Sequence, residues 1–388
     1  MYVALLGRQP ALGIAELERV FGGVNVTPLS GYAALVDTSL LNIRDLGGTL
    51  KAGKVVIDLR TGDWLKVSNK IIQHYAQLWS SSEGKITLGL SAYGFDISTR
   101  EVQKVGIVLK QKLKRSGVSL RVVPNQDIAL STATSHHNKL GLSANKAELL
   151  IIRAKNGRIT VAESTGAQNI TAYAKRDQGR PKRDAFVGML PPKLAQIMIN
   201  LAAGPKRDVR ILDPFCGTGV ILQEASLMGN SVYGTDLVDK MISFSKENLA
   251  WLDQTHHVTV RSDLHSGDAM TTKWQSPIDV VVAETYLGQP FSAPPSQSKL
   301  DEVRKNCNHI ITEFLKNLGP QIAPGTPVCI AVPAWRAIDG SFTHLPFITT
   351  IAQLGFRPHE FHNVSQNDLL YYREDQIVAR ELLVLVKS

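Results

Sequence analysis

Three aspartates, each at the end of a strand candidate, are the residues of this chain best placed to do chemistry. Asp213 opens the run Asp213-Pro214-Phe215-Cys216-Gly217-Thr218-Gly219. That run follows a strand-like stretch, Val209 to Leu212, and leads into a helical pattern from Val220 to Met228. Strand, glycine turn and helix form the place where doubly wound α/β folds bind adenosine-bearing cofactors. Glycine serves there because a ligand reaches the backbone only where no Cβ intervenes. A dinucleotide fingerprint would read G-x-G-x-x-G, and its third glycine position is Leu222 here. Nor does the run end in the Gly-Lys-Ser/Thr of a P-loop. An acidic residue before a G-x-G turn suits a cofactor without a pyrophosphate, such as S-adenosyl-L-methionine. The carboxylate meets its ammonium group, and amides at the helix start meet its carboxylate. A tight strand-to-helix turn without a ligand is the other reading of the same residues.

The next two acids sit at matching intervals. Ser231 to Tyr233 reads as a second strand, followed by Gly234-Thr235-Asp236. In this fold an acidic residue about 20 residues past the glycine turn accepts from the ribose hydroxyls. Gly267-Asp268-Ala269 ends the following strand, and Asp268 can accept from the adenine amino group. Any one of these is commonly a surface turn; three in succession point to one ligand. The expected cofactor-binding set is Asp213, Phe215, Gly217, Gly219, Asp236, Asp268 and Ala269.

These segments resemble a known family. DPFCGTG, GTDLVDKMISFSKENLAWL and GDAM are similar to the cofactor-binding segments of class I S-adenosylmethionine-dependent methyltransferases. Among these the chain resembles the THUMP-domain RNA methyltransferases, and within them the archaeal and eukaryotic tRNA (guanine-10) N2-methyltransferases. Gly188 to Ala202 is similar to the helix before the family's first strand, and Asn169 to Pro181 to its linker. Met1 to Glu18 is similar to its N-terminal start, and LLYYREDQIVARELLVLVK to its C-terminal hairpin. The resemblance implies methyl transfer to the exocyclic N2 amine of a guanosine, with tRNA as partner.

That amine is a poor nucleophile, because its lone pair is delocalised into the ring. An enzyme must accept hydrogen bonds from it and hold the base near the methyl group. The family uses Asp-Pro-Pro-Tyr or Asn-Pro-Pro-Tyr after the fourth strand. Here the buried-strand run Ile278 to Ala283 is followed by Glu284-Thr285-Tyr286-Leu287-Gly288. Glu284 stands in the acidic position, one methylene longer than aspartate. Tyr286 is the aromatic residue that can stack on a base. The missing prolines remove the rigid placement they give. Three readings follow. Glu284 and Tyr286 are the remodelled catalytic pair; or the site has lost N-methylation or acts on another RNA atom or on rRNA; or Glu284 only caps a turn. A non-catalytic RNA-binding protein that keeps the cofactor belongs with the second, and a DNA amino-methyltransferase is a further class. Cys216 lies in the cofactor turn, so it reads as a packing residue rather than a nucleophile. His136-His137 and His256-His257 lack partners at metal spacing, so no metal site is expected.

Two basic clusters suit a polyanion. Lys104, Lys110, Lys112, Lys114, Arg115 and Arg121 follow the capping-box pattern Ser98-Thr99-Arg100-Glu101. Val102, Val105, Leu109 and Leu113 share one helical face, which turns most of the lysines elsewhere. The ridge reads either as a solvated helix face or as a phosphate-binding surface. Lys175, Arg176, Arg180, Lys182 and Arg183 lie in a glycine- and proline-punctuated segment that reads as an interdomain linker, where a nucleic-acid backbone could be held.

The elements around these residues fix the expected architecture. With 388 residues, two or three domains are expected. Strands are expected at Tyr2 to Leu6, Tyr32 to Val36, Val55 to Leu59 and Lys85 to Leu90. Helices are expected at Ala11 to Phe21, Asp63 to Trp79 and Thr99 to Ser116. Asn156-Gly157 joins a hairpin of Leu149 to Arg153 and Arg158 to Glu163. The fold class is therefore α/β: a doubly wound, Rossmann-like methyltransferase domain (187–388) after an α+β, THUMP-containing RNA-binding region (1–163). A basic linker (164–186) joins them. A net charge of +9 favours polyanion partners. No apolar stretch reaches the ~18 residues that span a bilayer, and no signal peptide is read at the N-terminus. Three scattered cysteines, Cys216, Cys307 and Cys329, suit a reducing cytoplasm. An accessory subunit is left open.

Overall fold

The computed structural model describes residues 1–184, 190–291 and 293–388. The expected start of the second region at 187 lies outside these residues. The chain divides into two compact units. One holds Met1–Pro10 and Val24–Ala172; the other holds Ala11–Gly23 and Tyr173–Ser388.

The chain begins with β1 (Tyr2–Leu6) in the first unit, then α1 (Pro10–Phe21), which packs with the second. The first unit continues through β2 (Val26–Ser30), β3 (Ala33–Val36), β4 (Thr49–Leu59), α2 (Trp64–Leu78), β5 (Lys85–Tyr93) and α3 (Thr99–Arg115). β6 (Ser119–Val122), α4 (Thr132–His137), β7 (Lys146–Arg153) and β8 (Ile159–Ala167) complete it. Its sheet runs β2-β3-β1-β4-β8-β7-β5-β6. β7 and β8 form the expected hairpin, with Leu149 opposite Glu163 and Arg153 opposite Ile159. The apolar faces of α2 (Val67, Ile71, Tyr75) and α3 (Val102, Val105, Leu109, Leu113) share one core with Leu88, Leu90, Leu149 and Ile151. The capping box at Ser98 and Glu101 is formed as expected.

Helix α5 (Ile170–Gln178) lies within the segment expected to be a linker and carries the chain from the first unit, which ends at Ala172, into the second. Asn169 Oδ1 accepts from the Ala172 amide at 2.9 Å, which caps a first-turn donor of this helix. α6 (Pro192–Ala203), β9 (Arg210–Asp213), α7 (Val220–Leu227), β10 (Ser231–Asp236), α8 (Asp239–His256), β11 (Ser262–Ser266), β12 (Val280–Glu284) and α9 (Gln297–Leu318) follow. The chain ends with β13 (Pro327–Arg336), β14 (Phe342–Thr343), β15 (Phe356–Pro358), β16 (Leu370–Tyr371) and β17 (Val378–Lys387). The sheet order is β11-β10-β9-β12-β13-β17-β15. β11 to β13 pair in parallel along this path, and β17 runs antiparallel to β13 and β15. Successive residues enter opposite cores: Ile211 and Val282 on one face, Leu212 and Val281 on the other. A sheet buried on both faces explains why these strands read as unbroken apolar runs.

This division differs from the expected regions 1–163, 164–186 and 187–388. Helix α1 joins the second unit through Leu12 and Ala15, which pack in the core with α6. Arg19 donates from Nε to the Leu201 carbonyl at 2.7 Å and from Nη2 to that of Ala202 at 2.8 Å, satisfying carbonyls at the C-terminal end of α6. Glu18 accepts from the amides of His362 (2.6 Å) and Asn363 (2.7 Å). These partners lie far away in sequence, so no local pattern in α1 announces them.

Candidate functional site

The strand order reverses between β9 and β12. From β9 the chain adds β10 and β11 on one side, and β12 and β13 on the other. Open α/β sheets bind ligands outside the carboxyl ends of strands at such a switch point. Asp213 ends β9 and Glu284 ends β12, so these two carboxylates flank the crevice, with Asp236 ending β10 beyond Asp213.

The turn after β9 is held from several directions. Gly219 has φ +83°, and a Cβ there would lie 2.9 Å from Ser245 Oγ, so only glycine fits. Ser245 Oγ donates to the Gly217 carbonyl at 2.8 Å. Asn248 Nδ2 donates to the carbonyls of Thr218 (2.8 Å) and Lys182 (3.0 Å), and its Oδ1 accepts from the Lys182 amide at 2.9 Å. Helix α8 therefore pins both the glycine turn and the segment that precedes α6.

Asp213 is buried, and its Oδ1 accepts from the Phe215 amide at 3.1 Å. Burial pushes its carboxyl well above the usual range. The Phe215 amide pulls it down, and the charges of Asp236 and Glu284 add to the rise. Asp236 Oδ2 accepts from the Gly217 amide at 2.9 Å and Oδ1 from the Val238 amide at 3.0 Å. Burial raises its carboxyl too, against those two amides. Among the described residues no cationic side chain pairs with Asp213 or Asp236. Asp268 is half-buried, and its Oδ1 accepts from the Met270 amide at 2.9 Å. Ala269 is buried, and its carbonyl accepts from Asn317 at 3.0 Å. Phe215 sets its ring edge-on to Phe314, 5.1 Å between centroids. Carboxylates crowded without a cation suit S-adenosylmethionine, which carries a sulfonium and an ammonium group. Asp213 and the turn would hold its amino-acid end, Asp236 the ribose and Asp268 the adenine. Cys216 is buried and its thiol is pushed far up, by burial first and then by Asp213 and Asp236. That suits packing, as the sequence suggests, not nucleophilic attack.

At the end of β12, Arg380 of β17 donates from Nε to Glu284 Oε1. Both side chains are nearly enclosed, with 13% of Glu284 and 10% of Arg380 exposed. Thr285 is buried, and its amide (3.0 Å) and hydroxyl (2.9 Å) both donate to the Ala331 carbonyl. Tyr286 is 41% exposed, open enough for its ring to meet a ligand. Gly288 has φ +80° and packs on α9, where a Cβ would lie 2.7 Å from Val303. The sequence reading of the site missed Arg380. Its signal is a charged pair, Arg380-Glu381, interrupting the buried run of β17, since charges so placed require partners.

The basic residues fall into two groups. Lys104, Lys110, Lys112, Lys114 and Arg115 are all exposed on α3, and none forms an ion pair with a described residue. The linker arginines depart from the expected role. Arg176 grips buried Glu224 through two hydrogen bonds, 2.6 and 3.0 Å, and Arg180 has a side chain only 1% exposed. Both are drawn into the second unit, because α5 folds where a solvated linker was expected. Lys182 pairs with Glu247 at 3.1 Å and remains half-exposed; Arg183 is exposed. No group of three or more His, Cys, Asp or Glu among the described residues is arranged to hold a metal ion. No helix among the described residues is long and apolar enough to cross a membrane.

Comparison with known proteins bears on this geometry. The family described as UPF0020, "RMKL-like, methyltransferase domain", matches residues 180–302, which carry the glycine turn, the three aspartates and Glu284. A Methanothermobacter thermautotrophicus protein named tRNA (guanine(10)-N2)-dimethyltransferase is 35% identical over 165 residues, 42% of this chain and 45% of its own length. The chain thus spans about half the length of that curated relative. A Methanothermococcus thermolithotrophicus protein named "Probable tRNA (guanine(10)-N2)-dimethyltransferase" is 31% identical over 122 residues, 31% of this chain and 73% of its own length. In fold, the chain is similar to crystalline TrmN from Thermus thermophilus, with a TM-score of 0.52 and 16% identity over 100% of this chain and 99% of that one. The second unit is the doubly wound methyltransferase sheet that the sequence implies, and its cofactor is S-adenosylmethionine.

Proposed function

Because the chain belongs to the family of the tRNA (guanine(10)-N2)-dimethyltransferases, we propose that it methylates the exocyclic N2 amine of a guanosine in tRNA. The observation that carries this reading is the placement of Glu284 across the switch point from Asp213, on parallel strands β12 and β9. When bound, S-adenosylmethionine supplies an electrophilic methyl carbon on a positively charged sulfur. The chain's own residues do the rest. One oxygen of Glu284 accepts a hydrogen bond from the amine, which localises the nitrogen lone pair and offsets the charge that develops there. Tyr286 offers its ring as a platform for the base. The amine proton passes finally to solvent or to Glu284.

The first unit is the RNA-binding region of THUMP type, with the α3 ridge of Lys104, Lys110, Lys112, Lys114 and Arg115 against phosphates. Lys182 and Arg183 add to the RNA surface of the second unit, and Arg176 and Arg180 do not. A paired guanosine must be flipped out to reach Glu284. The reaction belongs in the cytoplasm, where unmodified tRNA is available.

The test is methyl transfer from isotope-labelled S-adenosylmethionine to bulk tRNA, followed by nucleoside mass spectrometry. Label in N2-methylguanosine and N2,N2-dimethylguanosine is expected. Label in another nucleoside, or none while calorimetry still detects cofactor binding, overturns the reading. Preference for duplex DNA would do the same.

A further inference from the structure

We propose that Arg380 is a positioning residue for the methyl-accepting site, holding one oxygen of Glu284 so that the other is presented to the incoming amine. This rests on the proposed function above and adds a residue to it.

The geometry supplies the argument. A glutamate side chain has three rotatable bonds, so its carboxylate wanders unless something fixes it. Arg380 engages Oε1 alone. Among the described residues Oε2 carries no hydrogen bond, so an acceptor remains unspent. The backbone beneath is pinned separately, by the two hydrogen bonds from Thr285 to the Ala331 carbonyl. The arginine itself rides on a stiff support: within β17 it lies opposite Pro333 of β13 on one side and Tyr371 of β16 on the other. A guanidinium is always charged and directional, so it fixes the carboxylate in both charge and orientation.

The pair is also a costly way to gain stability. Two nearly enclosed charges lose hydration that their mutual attraction barely restores. Stability alone would be served as well by two apolar side chains. Electrostatics give the pair a further purpose. Asp236 and Glu284 lie close enough for their charges to push the Asp213 carboxyl up. Arg380 is the cation that offsets Glu284, leaving the other two carboxylates uncompensated for a cationic cofactor.

The experiment uses the full chain, with tRNA and S-adenosylmethionine as substrates. Arg380→Ala is expected to lower kcat about 10- to 100-fold, while KM for tRNA and Kd for the cofactor stay within about twofold. Arg380→Lys should recover part of the rate, and free guanidinium ion should restore part of it to Arg380→Ala. Adding Arg380→Ala to Glu284→Gln should lower kcat no further, because the two act as one unit. Wild-type kcat in Arg380→Ala overturns the inference. So do losses that multiply in the double variant. So does a fall in Tm and cofactor affinity together, with no rescue by guanidinium. If Arg380→Ala does not fold, Arg380→Lys with the same double-variant comparison carries the test. A wild-type chain that binds cofactor but labels no RNA defeats the proposed function as a whole; an active wild type with an unimpaired Arg380→Ala defeats only the role given to Arg380.

Discussion

Asp236 accepts a 2.9 Å hydrogen bond from the amide of Gly217, so the acid ending the second strand holds the glycine turn that follows the first. The residue placed to receive the ribose is therefore also a strut of the turn that receives the amino-acid end. Each of its oxygens is used once by an amide, and a carboxylate oxygen has a second lone pair for a hydroxyl.

Asp236→Ala should weaken S-adenosylmethionine binding by about 10- to 100-fold, the sum of lost ribose contacts and a loosened turn. Asp236→Asn should fall in between, since its amide group keeps one acceptor oxygen. Calorimetry reads both. RNA affinity should be unchanged; a parallel loss would place Asp236 outside the cofactor site.

Asp213→Asn should stabilise the free protein while abolishing cofactor binding. Burial, followed by the charges of Asp236 and Glu284, raises this carboxyl in the folded state. A raised folded value means that the group's contribution to stability is complete below its unfolded value. The contribution is lost as pH rises through the folded value. Asparagine has no proton to lose. The variant should gain about 0.5–2 kcal/mol over wild type at pH 8, the range of a relieved functional strain. The gain should shrink toward pH 4. Denaturant melts at several pH values check this; an equal difference at all pH values would contradict it.

Arg176→Ala should cost about 3–5 kcal/mol, because it strands the buried carboxylate of Glu224. Burial already raises the Glu224 carboxyl, and Arg176 pulls it back. Arg176→Ala with Glu224→Gln should recover much of the loss. For whatever fraction remains folded, RNA affinity should match wild type. A selective loss of RNA binding at unchanged Tm would return Arg176 to the RNA surface.

The triple change Lys110→Ala, Lys112→Ala and Lys114→Ala should leave the fold intact, since all three are exposed on α3. If they meet phosphates, the slope of log affinity against log salt should drop by roughly 2–3, at about 0.7–0.9 per contact. An unchanged slope would leave the ridge as a solvated face. Filter binding at four or five salt concentrations suffices.

Much of this molecule is legible where the physics is local. The glycine turn announces itself because Gly219 needs a left-handed backbone and close approach to Ser245. The capping box at Ser98 and Glu101 starts α3 because both hydrogen-bond partners lie within one turn. The apolar run of β12 is readable because both of its faces are covered. The misreadings share another cause. Arg176 and Arg180 look like linker charges until α5 folds and Glu224 is seen to be buried. Arg380 and Glu284 are 96 residues apart, and neither carries a local mark of the other. Charges are read from sequence as surface by default; partners supplied by tertiary structure are what overturn that default.

The attachment of α1 to the second unit has a consequence for synthesis. Glu18 leaves the ribosome early, yet the His362 and Asn363 amides it binds are made more than 340 residues later. At about 5–20 residues per second, this helix waits roughly 20–70 s for its partners. Meanwhile Leu12 and Ala15 have no core to enter. Glu16 and Glu18, buried in the finished protein, are then hydrated and can keep the waiting helix soluble. The first and last thirds of the chain must therefore meet before the methyltransferase unit is complete, which makes the final stage of folding a long-range closure.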